Sequence, residues 1–109
     1  MADTIRTFNN SITVSSGEGS STLSSNVYNV LTKAGGYIEQ ILVSAPNNRA
    51  VFDFYIEDED GFIVWDMTGA KGKINDTTRV PIRGTYTLYI TNSDTDGSFS
   101  WKLKFLERW

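Results

Sequence analysis

The stretch SFSWKLKF, residues 98–105, places a large aromatic or aliphatic side chain at every second position, with serine or lysine between them. The stretch TYTLYIT, residues 85–91, has the same alternation, with tyrosine, leucine and isoleucine on one side. A period of two residues with one apolar face is typical of a strand that is buried on one side only. We therefore predict that the last third of the chain forms two half-buried β-strands.

The same pattern recurs towards the N-terminus. Residues 52–67 contain two alternating runs around an acidic turn with Gly61, and they form the clearest β-hairpin of the sequence, with Ile63, Trp65 and Met67 predicted to point inward. Further strands are predicted at residues 5–8, 12–14, 27–32, 37–44 and 79–83, the last at a sheet edge because Pro81 cannot donate a backbone hydrogen bond.

Turn residues separate these segments at intervals typical of β-sandwiches, and no segment has helical periodicity. The chain of 109 residues is the size of one domain. We predict an all-β fold, an antiparallel β-sandwich of about eight strands and of jelly-roll or Greek-key type, with a closed barrel as the alternative.

Within the single domain, residues 1–109, three segments are predicted to serve as an arm or as connections. Residues 1–10 are a candidate N-terminal arm. Residues 15–26 hold six serines in twelve positions and are predicted to be a flexible Ser/Gly-rich connection. Residues 68–78 are predicted to be a loop with a short strand near Ile74. The length of the last two segments indicates that the chain crosses there between two sheets.

The composition excludes several kinds of chemistry. The chain has no cysteine and no histidine, so disulfides, thiolate metal sites and a Ser-His-Asp triad are impossible. No pocket-forming pair of carboxylates is evident that would serve as a shielded general acid and base. We predict a protein that is not an enzyme and holds no cofactor.

Charge and hydropathy limit the partners. The net charge is −3 and the chain has ten Lys and Arg in total, which argues against general nucleic-acid binding. No stretch approaches the length of a membrane span, and residues 1–6 have no apolar run. We therefore expect neither membrane association nor secretion by a signal peptide.

Charge is unevenly distributed along the chain. Residues 53–66 hold six acids and no base, whereas residues 71–83 hold four bases and one acid. The two segments are either solvated loops or surfaces that meet, within one molecule or between copies.

The turn at residues 92–97 resembles half of a calcium loop. Asp94 and Asp96, with Asn92 and Gly97, are its candidate metal ligands. Calcium requires six to eight oxygen ligands, and the glutamate that completes an EF-hand loop is missing. Because aspartate and glycine are also ordinary turn residues, the sequence favours a turn without metal.

Several apolar and aromatic residues have no clear place in the predicted core. Residues 37–44 are apolar on both faces, which predicts a strand covered on both sides or a subunit interface. The interface candidates are Tyr37, Ile38, Leu42 and Trp109. Candidates for a sugar-stacking platform are Tyr28, Tyr37, Tyr55, Tyr89 and Trp109, whereas Trp65 and Trp101 are predicted to lie in the core.

Three segments carry a resemblance to known proteins: ITVSS at 12–16, GGYIEQILV at 35–43 and GTYTLYI at 84–90. Together they resemble the head decoration, or capsid-stabilising, proteins of tailed bacteriophages. The resemblance implies a virion location, a homo-oligomer such as a trimer, and a role in bridging subunits of the major capsid protein or another virion protein. Residues 84–90 are also similar to the penultimate strand of bacterial pre-peptidase C-terminal domains.

Two other functions are consistent with the same residues. One is a carbohydrate-binding module or the receptor-binding tip of a tail fibre, which requires exposed aromatic rings. The other is a subunit of a phage tail or baseplate, which requires self-association but no affinity for capsids.

Overall fold

The computed structural model describes residues 3–23, 36–81 and 84–108, which form eight β-strands and, within these ranges, no helix. The strands are β1 (Asp3–Val14), β2 (Gly19–Leu23), β3 (Gly36–Ser44), β4 (Val51–Asp58), β5 (Ile63–Lys71), β6 (Lys73–Pro81), β7 (Tyr86–Thr91) and β8 (Gly97–Arg108). The predicted all-β fold is confirmed.

The strands form two antiparallel sheets of four. Sheet 1 has the order β1-β8-β3-β6, and sheet 2 has the order β2-β7-β4-β5. The strand pairs are nested along the chain: β4 pairs with β5, β3 with β6, β2 with β7 and β1 with β8. This pairing, distributed over two packed sheets, is the jelly-roll arrangement, one of the two sandwich types that the sequence predicts.

The apolar faces of the two sheets pack against each other to form the core. The alternation in β8 buries Phe99, Trp101, Leu103 and Phe105, and the alternations in β4 and β7 are buried in the same way. The Phe99 ring of sheet 1 lies edge-on to the Phe52 ring of sheet 2, with centroids 5.0 Å apart. This aromatic contact joins the two sheets within the core.

The first strand is longer than predicted. β1 pairs with β8 in continuous register from Asp3 opposite Arg108 to Val14 opposite Gly97. The predicted break at residues 9–10 is therefore wrong, and so is the predicted arm over residues 3–10. Asparagine has a low intrinsic preference for strands, but β8 offers an unbroken row of backbone partners, and backbone pairing outweighs the local preference.

The serine-rich connection is also more ordered than predicted. Residues 15–18 form a tight turn in which the Ser15 N–H donates to the Glu18 carbonyl at 2.9 Å, and β2 then pairs with β7. The prediction of a flexible segment is wrong for residues 15–23, because Leu23 is buried and the backbone of β2 is held by β7. The predicted crossing between sheets is confirmed. Residues 24–26 and the strand predicted at 27–32 lie outside the described residues.

The predicted loop at 68–78 is replaced by a corner of one residue. β5 ends at Lys71, β6 begins at Lys73, and Gly72 alone carries the chain from sheet 2 to sheet 1. The Gly72 N–H donates to the Ala50 carbonyl, and its carbonyl accepts from the Ala45 N–H, both at 2.8 Å. The prediction that this segment is irregular is wrong, whereas the crossing is confirmed. The predicted edge strand at 79–83 is confirmed as the end of β6 for residues 79–81, and residues 82–83 lie outside the described residues.

In β5, one predicted inward side chain points to solvent. Trp65 and Met67 pack against the core, but Ile63 is 57% exposed. The register of β4 with β5 shifts at this point: Ile56 is paired with Trp65, but the next residue, Glu57, is paired with Ile63. The extra residue of this irregularity reverses the alternation and moves Ile63 to the outside.

Candidate functional site

The outward face of sheet 1 carries a row of apolar side chains across all four strands. In the strand register, Ile5 of β1 lies beside Leu106 of β8, Leu106 beside Tyr37 of β3, and Tyr37 beside Pro81 of β6. Ile5 is 60% exposed, and Tyr37 and Leu106 are half-buried. We call these four residues the apolar row. The adjacent outward positions hold Thr7, Lys104, Gln40 and Thr77, so the row stands out from polar neighbours, and Leu42 is a further apolar side chain on this face.

A bulge in β3 decides which of the predicted interface residues face outward. The pairing of β3 with both neighbours shifts between Ile38 and Gln40. The alternation therefore changes phase, and Ile38 joins the core with Ile41 at 0% exposure. The prediction of Ile38 as an interface residue is wrong. Leu42 is half-buried on the outward side, as is Tyr37, and an interface role for these two residues stays a prediction; Trp109 lies outside the described residues.

Polar contacts fix the side chains beside Tyr37. The Arg79 guanidinium lies 5.3 Å from the centroid of the Tyr37 ring, and its Nη2 is 3.1 Å from Oε1 of Glu39. The Gln40 Nε2 donates to Oδ1 of Asn75 at 2.8 Å. Exposed ion pairs contribute little to stability, so the main effect of these contacts is to hold the arginine over the ring.

A groove of about 730 Å³ lies on the same face, further along the strands and separated from the apolar row by Lys104 and its register partners. Serines on three strands, Ser11, Ser44 and Ser100, leave space along its length, and Leu42 provides an apolar contact within it. Lys102 lies opposite Leu42 in the register, and Lys73 lies opposite Ser44. None of the residues that line the groove is acidic. The groove can therefore receive an acidic group with an apolar part.

The two outward faces of the sandwich carry opposite charge in the part of the chain that the structure describes. Outward positions of sheet 1 carry four cations, Lys73, Arg79, Lys102 and Lys104, with Glu39 paired to Arg79. Outward positions of sheet 2 carry three carboxylates and one lysine, Asp53, Glu57, Asp66 and Lys71. The uneven charge of the sequence thus becomes a difference between the two sides of the molecule.

Two of the five candidate sugar-stacking residues meet on the outward face of sheet 2. Tyr55 of β4 and Tyr89 of β7 are opposite each other in the register, and their rings are stacked with centroids 4.8 Å apart. Partial burial raises the pKa of the Tyr55 hydroxyl, and the negative charges of Glu57 and Glu18 raise it further. Tyr37 lies on the opposite face of the molecule, and Tyr28 and Trp109 lie outside the described residues.

The two calcium candidates bind separate backbone segments. Asp96 accepts hydrogen bonds from the N–H groups of Ser16 and Gly17, at 3.2 and 3.1 Å. Asp94 accepts from the Val51 N–H and the Thr95 hydroxyl, which lower the pKa of its carboxyl group. Within residues 3–23, 36–81 and 84–108, no three Asp or Glu side chains gather around one point as metal ligands would. The arrangement instead ties the 92–97 turn to the neighbouring turns.

A third carboxylate with the same role was not singled out by sequence reasoning. Asp53 accepts hydrogen bonds from the Asn92 side chain and the Gly69 N–H, both at 2.8 Å, and these bonds lower the pKa of its carboxyl group. Its position in a strand of alternating pattern gives no signal of this role. The partner Asn92 has φ of +51°, a turn conformation that asparagine tolerates better than most residues.

Comparisons with known proteins define no family for this chain. No family model and no curated protein matches it. Among solved structures, it is similar to the Drosophila NLP core, studied for pentamer formation and histone binding, with 12% identity over 91% of this chain and 97% of that one and a TM-score of 0.48. It is also similar to the pre-peptidase C-terminal domain of a Bacillus anthracis collagenase, with 12% identity, 92% and 87% coverage and a TM-score of 0.48.

A third similar structure is the virus-like particle of the extra small virus of the giant freshwater prawn Macrobrachium rosenbergii. It has 14% identity over all of this chain and 82% of that one, with a TM-score of 0.41. At such scores these likenesses identify neither a function nor a partner. Among the described residues, no helix is long and apolar enough to cross a membrane.

Proposed function

We propose that this protein is a non-enzymatic structural protein of a virion, and specifically a head decoration protein that stabilises a tailed-phage capsid by bridging shell subunits. The single observation that supports contact as its mode of action is the apolar row on sheet 1. Outward positions of a solvated sheet are normally polar, and an exposed apolar patch on a soluble protein marks a surface that binds another protein. The resemblance of residues 12–16, 35–43 and 84–90 to decoration proteins supports a capsid shell protein as the partner.

The apolar row is suited to docking on a shell protein. Its four side chains lie on four hydrogen-bonded strands, so little backbone entropy is lost when a partner covers them. A contact made by four side chains is weak for a single copy of the protein. A decoration protein compensates through oligomerisation, because several linked copies bind a repeating lattice with high avidity.

The first test is to locate the protein in a native lysate of its source on a density gradient, using mass spectrometry. We expect it to migrate with virus-sized particles at a fixed ratio to a major shell protein. The double variant Ile5→Ser, Tyr37→Ser should lose at least about tenfold in particle binding, because both side chains leave the contact. Val51→Ser, which removes an exposed apolar side chain from sheet 2, is the matched control and should bind as the unmodified protein does.

Two outcomes would contradict the proposal. If the protein stays among small soluble proteins in the gradient, the capsid role is wrong. If it migrates with tail structures and not with heads, the protein is a tail or baseplate subunit instead.

Carbohydrate binding is a second candidate function, favoured by the stacked pair Tyr55 and Tyr89. An aromatic ring with one free face and nearby carboxylates can stack on a sugar and accept hydrogen bonds from its hydroxyls. If the pair binds sugars, adding a panel of oligosaccharides should shift the NMR signals of both rings, and in Tyr89→Ala the shift of the remaining Tyr55 ring should be abolished. Tyr37→Ala, on the opposite sheet, is the control. Ring signals that do not move at millimolar sugar would exclude this function.

A further inference from the structure

The hairpin between β4 and β5 ends in a tip, residues 58–63, that is both acidic and apolar. Glu59 and Asp60 are exposed, Phe62 is 69% exposed and Ile63 is 57% exposed. The described part of the chain has four exposed large hydrophobic residues. Two of them, Phe62 and Ile63, lie in this tip, and a third, Ile5, belongs to the apolar row. A surface loop that presents two aromatic or aliphatic side chains beside two carboxylates is unusual for a turn that only connects strands.

The tip is also held in one conformation. Oδ1 of Asp58 accepts hydrogen bonds from the N–H groups of Asp60 and Phe62, at 3.0 and 2.8 Å. The Asp58 N–H donates to the Phe62 carbonyl at 2.8 Å, and the Gly61 N–H donates to the Asp58 carbonyl at 3.2 Å. A turn fixed by four hydrogen bonds loses little conformational entropy on binding, which favours its use as a docking element.

The groove on sheet 1 is complementary to this tip. It offers the cations Lys73 and Lys102 and the apolar side chain of Leu42, and its lining contains no carboxylate. A volume of about 730 Å³ is sufficient for several side chains. The tip and the groove therefore match in charge and in their mixture of polar and apolar surface.

The tip of a molecule cannot reach the groove of the same molecule. The tip extends from sheet 2, whereas the groove is on the side of sheet 1 that faces away from sheet 2, and the packed core lies between them. If the two surfaces meet, they meet between copies.

We propose that a second copy of this chain inserts its 58–63 tip into the sheet 1 groove, with Glu59 and Asp60 beside Lys73 and Lys102 and with Phe62 against Leu42. This inference goes beyond the proposed function, because neither the tip nor the groove belongs to the apolar row that would contact a shell. The contact joins two different surfaces, so repeated use builds a closed ring or an open chain of copies. A tip of six residues is small against a standard stable interface, and Glu59 and Asp60 are exposed residues, with the Glu59 carboxylate beside Gly84 of its own chain.

The contact is accordingly expected to be weak and dependent on salt. At low ionic strength, the unmodified protein should show self-association that rises with concentration in sedimentation velocity. Adding salt to about 0.5 M should reduce it, because exposed charges are then screened over a few ångström. Lys73→Glu with Lys102→Glu, and separately Glu59→Lys with Asp60→Lys, should each give a monomer at concentrations where the unmodified protein associates.

Combining all four substitutions in one chain provides the decisive result. The tip is then basic and the groove acidic, so the proposal predicts that self-association returns, and it also predicts association when the two double variants are mixed.

The control variant Arg49→Glu with Lys71→Glu changes the net charge as the groove variant does, but outside the groove, and should associate normally. Phe62→Ser, which alters no charge, should weaken association by several fold.

The proposal is wrong if the unmodified protein is a monomer at low salt up to millimolar concentration, or if the four-substitution chain stays monomeric while its melting temperature shows that it is folded. It is also wrong if the groove variant associates as the unmodified protein does. Recovery of association in the four-substitution chain would exclude misfolding as the cause of its loss in the double variants.

Discussion

Replacing Phe99 with alanine is expected to lower the free energy of unfolding by about 3–5 kcal/mol, as for other large aromatic side chains removed from a core. Phe99 is fully buried in β8 and lies edge-on to Phe52 of the opposite sheet, with ring centroids 5.0 Å apart. The substitution removes the transferred apolar area, leaves a cavity between the sheets and breaks this aromatic pair. Urea denaturation measures the change.

Phe62→Ala is the matched control for Phe99→Ala. The same atoms are removed, but Phe62 is largely exposed on the β4–β5 tip. Its free energy of unfolding should change by less than about 0.5 kcal/mol when measured on dilute protein. Equal effects of the two substitutions would mean that Phe99 does not lie in the core of the sandwich.

Gly72→Ala is expected to be the most damaging glycine substitution among the turns that the structure describes. Gly72 has φ of +74°, a conformation that costs an alanine about 1–2 kcal/mol. An added Cβ would also lie 2.8 Å from the backbone oxygen of Asn48 and 3.1 Å from its Cα. Because these are backbone atoms, they cannot rotate away, and the overpacking adds about 1–3 kcal/mol. Thermal unfolding measured by circular dichroism gives the change in stability.

Gly61→Ala separates the two contributions at Gly72. Gly61 has φ of +87°, but no atom lies within 4 Å of an added Cβ. It should therefore show the conformational cost alone. If Gly61→Ala and Gly72→Ala destabilise the protein equally, the close approach of Asn48 contributes nothing and the corner at Gly72 is looser than the structure indicates.

Strands with strict alternation were predictable from the sequence, and strands with an irregular position were not. β4, β7 and β8 follow a period of two, and their buried residues are those predicted. In β3, a single extra residue near Gln40 places Ile38, which the sequence predicts as an interface residue, in the core. A bulge leaves no mark in the composition of a strand, because its position depends on the partner strands.

For segments of low hydrophobicity, the sequence predicts fewer strand residues than the structure contains. β2 contains one buried apolar residue, Leu23, among serines and a threonine, so local sequence gives no reason to expect a strand. Its backbone is fixed by β7, a neighbour that is distant in sequence. The same holds for the middle of β1, where Asn9 and Asn10 pair with β8. Tertiary pairing decides such segments, and residue preferences do not.

The sequence predicts some of the residues of the candidate site but not their arrangement in space. Tyr37 and Leu42 are predicted as interface candidates because both faces of residues 37–44 are apolar, and the sequence also shows the uneven charge of residues 53–66 and 71–83. The apolar row requires the register of four strands, two of which are about 100 positions apart along the chain. The role of Asp94 and Asp96 likewise depends on backbone N–H groups from other turns.

The position of β8 inside sheet 1 has a consequence for synthesis on the ribosome. β1 and β3 both pair with β8 and not with each other, so β1 has no strand partner in its own sheet until β8 has left the exit tunnel. Until then, the nascent chain exposes the apolar sides of β1 and β3 and the free edge of β3. Long-range pairing of this kind is slow and leaves such surfaces open to aggregation. Sheet 1 is therefore completed only after β8 has been synthesised, and the nascent chain should benefit from a chaperone that covers these surfaces before then.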